Sequence, residues 1–342
     1  MYLSEKDIID LKNKLIHIYK RKKPSPRDEY LNIVLRANDV LSCEDNQIRP
    51  YCVSGKNVGR PDRIEYLNKD IPTIIVPDLH ARMNFFLTIM LSGMRQYPGV
   101  SVDSTGINTG HLPKEIPGPG STLPRGSILT ELARGNVQVV CVGDGFHAEG
   151  RAAKRWQKAF EEYSDKYKKH HFIDDEMRES LGVMEMVMLV KTAFPHHFHF
   201  LKGNHENVTN ERGYGNFPFR KYAYEGAMVL EYMTQFYGEE LLKAYYTLEK
   251  NFPLFVIGRN FLISHAEPAR FLEEEEIINS KLNGEVVFSL TWTQNDASEP
   301  GTVKKMLEHY LDEEFVEISY YFGGHRIIRE NYFLSLKKKN KN

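Results

Sequence analysis

Apolar runs that empty into short polar loops recur along this chain and limit its fold more than any bulk property. Ile71–Val76 stops at Pro77 and is followed by Asp78-Leu79-His80. Val137–Val142 leads into Gly143-Asp144-Gly145-Phe146-His147, and His197–Phe200 into Leu201-Lys202-Gly203-Asn204-His205-Glu206. Leu254–Ile257 and Phe261–Ser264 form a hairpin about Gly258-Arg259-Asn260 that ends in His265-Ala266-Glu267-Pro268. Phe315–Phe322 ends in Gly323-Gly324-His325-Arg326. Short apolar runs bounded by Gly, Pro or Asp read as buried strands. Between them helical periodicity returns, over Arg82–Gln96, Gly150–Lys169, Glu176–Ala193 and most of Arg220–Lys250. Strands alternating with helices make an α/β fold, in which ligands bind outside the carboxyl ends of the strands.

The N-terminal part is helical. Ser4 reads as an N-cap with Asp7 in the first turn, and Ile8, Leu11, Leu15, Ile18 and Tyr19 share one face. That helix stops before Pro24 and Pro26, and a second covers Asp28–Leu41. Residues 43–70 read as loop or short strands, and 98–127, rich in Gly, Pro, Ser and Thr, as a long loop. Tyr332–Leu336 is the last expected strand. The resulting organisation is an N-terminal helical extension, 1–60, packed on a larger domain, 61–337. Insertions between its strands fall near 98–130 and 150–193, and a disordered basic tail occupies 338–342.

With a net charge of −1 over 342 residues, no global field recruits a nucleic acid polymer or an anionic membrane. Cys43, Cys52 and Cys141 are odd in number and widely spaced, which favours free thiols in a reducing compartment. Neither a signal peptide nor a membrane-spanning run is visible, so the expectation is a cytoplasmic protein. Oligomeric state is not legible.

The strand-end residues Asp78, His80, Asp144, Asn204, His205, His265 and His325 offer carboxylate oxygen, amide oxygen and imidazole nitrogen without a thiolate. That set suits Mn, Fe or Zn. It is large enough for two ions, with Asp144, central in order, as the natural bridge. Two ions clamp a phosphoryl group, and His205 beside Asn204 is placed to protonate a leaving alkoxide.

In order, Asp-x-His, Gly-Asp, Gly-Asn-His-Glu, His-Ala and Gly-His resemble the motifs of the calcineurin-like metallophosphoesterase superfamily, over about residues 71–336. The resemblance is closest to the branch of phosphoprotein Ser/Thr phosphatases and diadenosine-tetraphosphate hydrolases, whose pattern Asn210–Gly215 and Leu290-Thr291-Trp292 also follow. It implies a four-layer α/β/β/α sandwich with mixed sheets and two divalent or trivalent metal ions. Asp78 and His80 would hold one ion, Asp144 would bridge, and Asn204, His265 and His325 would hold the other. His205 would be the proton donor. The branch reads Gly-Asp-x-x-Asp-Arg-Gly where this chain reads Gly143 to Arg151. His147 thus stands where the carboxylate that orients His205 is expected, and Ala148 where the phosphate-binding arginine is expected. Glu149 is the expected substitute for the first and Arg151, as a catalytic phosphate ligand, for the second.

The reading is hydrolysis of a phosphomonoester, with a phosphoprotein as the nearest substrate. Hydrolysis of a nucleotide polyphosphate or other small phosphoester is the second enzymatic reading, and a phosphate-binding module that has lost catalysis is the third. Other polar residues receive plainer readings: His197 and His199 as polar strand positions, His170-His171 as the solvated close of a helix, and Trp156 as part of an amphipathic face.

Overall fold

Two sheets carry the loops singled out above. The computed structural model describes residues 3–50, 64–93, 126–280 and 283–326. Cys52, residues 98–125 of the expected long loop, the expected strand Tyr332–Leu336 and the tail lie outside the described residues.

The first sheet has the order β2-β3-β4, from β2 (Thr73–Val76), β3 (Gln138–Cys141) and β4 (Phe198–Phe200). It is parallel, with Val76 opposite Cys141 and Cys141 opposite Phe200. Parallel strands need crossover helices to connect them. Here these include α3 (Met83–Leu91) and α4 (Ile128–Ala133) after β2, then α5 (Ala153–Ser164) and α6 (His171–Ala193) after β3. The second sheet is mixed, with the order β1-β5-β6-β7: β1 (Ile64–Tyr66), β5 (Phe255–Ile257), β6 (Phe261–Ser264) and β7 (Tyr320–Phe322). Among its described strands only β5 and β6, the expected hairpin, pair antiparallel. Among the described residues the mixed character therefore belongs to one sheet.

Side-chain alternation along β3 shows how the sheets are covered. Val139 and Cys141 join a core with α1 (Glu5–Lys20), α2 (Arg27–Ser42), α3, α6 and the later helices α7 (Glu225–Tyr232) and α8 (Gly238–Asn251). Val140 and Val142 instead meet Leu201 and, from the second sheet, Val256 and Ile263. Phe255, Ile257 and Leu262 turn to a third cluster with Leu272, Ile277, Val286, Leu290 and Met306, from α9 (Glu274–Ile278), α10 (Gly284–Thr291), α11 (Thr302–Tyr310) and the loop before α9. The chain is a mixed α/β structure with helices and two sheets. Among the described residues no helix is long and apolar enough to cross a membrane.

Local chemistry accounts for most boundaries. Ser4 and Asp7 form a capping box on α1, the Asp7 N–H donating to Ser4 Oγ and the Ser4 N–H to the Asp7 carboxylate. Two expectations shift. α6 begins at His171 rather than Glu176, because the Glu162 carboxylate accepts from the N–H groups of Phe172 and Ile173 and satisfies the helix start. His170 and His171 therefore open α6 instead of closing the helix before it. The expected strand Phe315–Phe322 is split: Glu313–Val316 is a short helix, α12, with Glu313 and Glu314 in its first turn, and β7 begins only at Tyr320.

Candidate metal centre

The ends of β2, β3 and β4 and the loops after β6 and β7 converge on Asp144. Its Oδ1 accepts the His205 N–H at 3.0 Å. Its Oδ2 is ringed by imidazoles: His265 Nε2 at 3.3 Å, His205 Nε2 at 3.7 Å and His80 Nε2 at 3.9 Å. Asp78 lies on the far side of His80 and His265, with its Oδ2 accepting the His325 N–H at 2.9 Å. Asn204 Oδ1 is 2.9 Å from both His265 Nε2 and His325 Nδ1. All six residues assigned to metals by resemblance thus meet in one place, and His205 with them.

The backbone is bent to make this possible. His80, Ala81, Asp144, His147 and His325 all have positive φ, between 42° and 69°. Such conformations are costly for side-chain-bearing residues and persist where surrounding contacts over-determine them. The ends of β3 and β4 also approach closely: a Cβ on Gly143 (φ 110°) would lie 2.6 Å from Gly203 N, and a Cβ on Gly203 would strike the Asp144 carboxylate. Glu206 completes the support, its carboxylate accepting from the N–H groups of Asp144 (2.9 Å), Gly145 (2.8 Å) and Gly203 (2.7 Å). The sequence placed Glu206 in the motif but gave it no task.

The charges call for a cation. Burial pushes the Asp144 carboxyl up, but His205, His265 and His80 outweigh burial and hold it well below its ordinary range. Burial lowers His265, yet Asp144 and Asp78 lift it to about 9, so positive charge is drawn to this imidazole. Its Nδ1 meets the Val142 carbonyl at 2.9 Å, which fixes the ring and turns Nε2 toward Asp144 and Asn204. Asp78 Oδ1, His80 Nδ1 and His325 Nε2 are buried atoms with no hydrogen-bond partner. Two donor groups could hold a metal ion, His80–Asp144–His205 and Asp144–His265–His325, and Asp144 belongs to both. The donor set fits a metal.

Two expected substitutes do not take the expected places. Glu149 pairs with Lys221 Nζ at 2.8 Å and does not orient His205. His147 is the neighbour: its Nδ1 is 3.0 Å from His205 Nδ1, and Phe219 packs on both rings, with centroids at 4.7 and 3.9 Å. The left-handed turn at His147 is why the second position after Gly145, rather than the fourth, reaches His205. Arg151 donates to Glu179 Oε2 (2.7 Å) and to the carbonyls of His80 (3.3 Å) and Ala81 (3.0 Å), so protein groups take the donors that were expected to grip phosphate. Phe219 carried no sequence signal. His199, read as a polar strand position, is buried against Glu65 at 2.8 Å, and the Trp156 indole is buried and donates to the Ala148 carbonyl at 2.8 Å.

A parallel sheet meets a mixed sheet across Val140, Val142, Val256 and Ile263, with histidines, aspartates and asparagine at the strand ends. The chain matches the structure of a protein serine/threonine phosphatase from Saccharomyces cerevisiae with a TM-score of 0.50 and 13% identity, over 95% of this chain and 78% of that one. At that identity the match is one of fold. No protein-family model matches the sequence, and no curated protein matches it.

Proposed function

We propose that the chain is a two-metal phosphoesterase that hydrolyses a phosphomonoester, with a phosphoprotein as substrate. The observation that carries this reading is the Asp144 carboxylate, shared by two donor groups, one with His80 and His205 and one with His265 and His325. The reading takes Asp78, whose carboxylate faces His80 and His265, as ligand in place of His205, which it leaves to move a proton. Asp78 and His80 would hold one ion, Asn204, His265 and His325 the other, and Asp144 both. When bound, a pair of Mn, Fe or Zn ions lowers the pKa of water and stabilises charge on the phosphoryl oxygens. The same reading makes the architecture a four-layer α/β/β/α sandwich, which the Val140–Val256–Ile263 core between the sheets supports. Residues 1–60 are then a helical extension on the catalytic domain, in keeping with the core that α1 and α2 share with α6.

The protein groups have separate tasks. His205 protonates the leaving oxygen. Burial holds its imidazole well below its ordinary pKa, and an arriving phosphate dianion, an opposite charge at close range, draws it back up. His147 and Phe219 keep the ring in register. Glu206 holds the Asp144 loop rigid, so the carboxylate does not reorganise during the reaction.

Hydrolysis of a nucleotide polyphosphate is the second reading, favoured by one observation. Phe217 and Phe288 are about two-fifths exposed and continue through Trp292 toward His325, with centroid separations of 5.7, 5.5 and 6.0 Å, which offers a stacking surface beside the centre. The Mn²⁺-loaded protein should be assayed on phosphopeptides beside dinucleoside polyphosphates. A preference for phosphopeptides, with turnover falling roughly 10²–10⁴-fold in His205→Ala, is expected. A preference for dinucleotides selects the second reading, and no turnover of either, or of an aryl phosphate, leaves a binding module.

A further inference from the structure

The turn that aims His80 is made of two consecutive left-handed residues that carry side chains, His80 (φ 42°) and Ala81 (φ 58°). Each would be more at ease as glycine, so something must hold them. Their N–H groups are fixed by the β3 loop: His80 N–H donates to the Asp144 carbonyl at 2.7 Å and Ala81 N–H to the Gly145 carbonyl at 2.8 Å. One side chain, Arg151, reaches both of their carbonyls, its Nη2 lying 3.0 Å from Ala81 O and 3.3 Å from His80 O, while Ala81 O also accepts the Met83 N–H at 3.2 Å. The second terminal nitrogen of Arg151, Nη1, is anchored on Glu179 of α6 at 2.7 Å. Glu179 is held in turn by Arg155 at 2.8 Å, and Arg155 also pairs with the buried Glu176, which accepts the Ala148 N–H at 2.8 Å. The network joins α6, in the expected insertion, to the loops that carry His80 and His147.

We propose that Arg151 is a positioning residue for His80: its guanidinium clamps the strained His80–Ala81 turn onto α6 and so fixes the imidazole 3.9 Å from both Asp78 Oδ2 and Asp144 Oδ2. The proposal rests on the metal-centre reading given above. It differs from phosphate gripping in what it predicts. A phosphate ligand governs KM, whereas a clamp on the His80 backbone governs one metal site, chiefly the one that uses His80. Lysine at this position can donate to both carbonyls and should restore much of the function, although it lacks the planar fork that also reaches Glu179.

The test is Mn²⁺ titration of the full chain by calorimetry, with thermal midpoint and aryl-phosphate kinetics, for wild type, Arg151→Ala, Arg151→Lys and Glu179→Gln. The expected result is two Mn²⁺ sites in wild type. In Arg151→Ala one of them should be weakened about ten-fold or more while the other is unchanged, the kind of loss that follows removal of a group supporting a metal ligand. The midpoint of the metal-free protein should be nearly unaltered, and KM at saturating Mn²⁺ should change less than about two-fold, as befits a residue that does not bind substrate. Arg151→Lys should recover most of the affinity, and Glu179→Gln should show a smaller loss at the same site. Unchanged Mn²⁺ affinity with a raised KM would overturn the proposal in favour of a phosphate ligand. Unchanged affinity and kinetics would make Arg151 a surface ion pair only. A wild-type protein that binds no Mn²⁺ would overturn the metal centre itself, a failure distinct from either.

Discussion

Among the described residues two clusters have the donors of a metal site, and their difference is instructive. One surrounds Asp144. The other brings together Glu44, Glu65 and His199 from the end of α2, β1 and β4. The Glu44 cluster is fully buried, the Asp144 centre is buried except for the half-buried Asp78 and His325, and both pair carboxylates with imidazole. The second, however, brings its own cations: Glu44 pairs with Arg49 at 2.5 Å and with Lys191, and Glu65 meets His199. Its charges are neutralised by protein groups. Around Asp144 the carboxylates are met by neutralisable imidazoles and backbone N–H groups, and the backbone is strained to hold them there. Donor type and distance do not separate these clusters. The charge left over does, because a buried carboxylate must be compensated, either by a residue or by a ligand.

Chelation gives the largest expected contrast. Dialysis against a chelator should abolish turnover and lower the thermal midpoint, since an ion bound only to the folded state stabilises it, and Mn²⁺ should restore both. A chelator effect that persists in Asp144→Asn would move the metal to the Glu44 cluster and break the comparison. Next in size is the other cluster. Glu65→Gln removes one member of a buried ionic network and should cost roughly 3–5 kcal/mol in denaturant unfolding with metal content unchanged. A loss of bound metal in that variant would contradict the account. The smallest effect is its pH signature. Burial raises the Glu65 carboxyl, but His199, Lys191 and Arg49 more than offset this and hold it below its ordinary 4.5. A depressed carboxyl contributes stability above the unfolded value and loses it below. Wild-type stability should therefore fall as pH drops below about 4.5, more steeply than in Glu65→Gln. Equal slopes would place the charge compensation elsewhere.

What the sequence revealed follows the same divide. Asp78, His80, Asp144, Asn204, His265 and His325 were legible as candidates because each follows a strand. The first four close strands of the parallel sheet and the last two strands of the mixed sheet, and packing of the two sheets brings those ends together. For His147 the sequence left its role open, partner of His205 among the possibilities, and what decides it is a left-handed turn at His147 that no neighbouring residue type announces. For Arg151, adjacency to the motif suggested substrate, whereas its contacts run to Glu179 of α6, distant in sequence, which no local pattern announces. Glu65 and His199 lie on different sheets, and no local pattern joins them. The early start of α6 depends on Glu162 from the preceding helix, a tertiary cap that periodicity does not register. The split at Phe315–Phe322 reflects acidic residues at a helix start overriding an apolar run.

The most direct test of the central claim is metal content of the purified protein with Mn²⁺-dependent p-nitrophenyl phosphate hydrolysis, for wild type and Asp144→Asn. The account predicts about two metals per chain in wild type, as for a two-ion site, with loss of bound metal and turnover in the variant. Full metal content and turnover in Asp144→Asn, or a wild type that binds no metal, would contradict it.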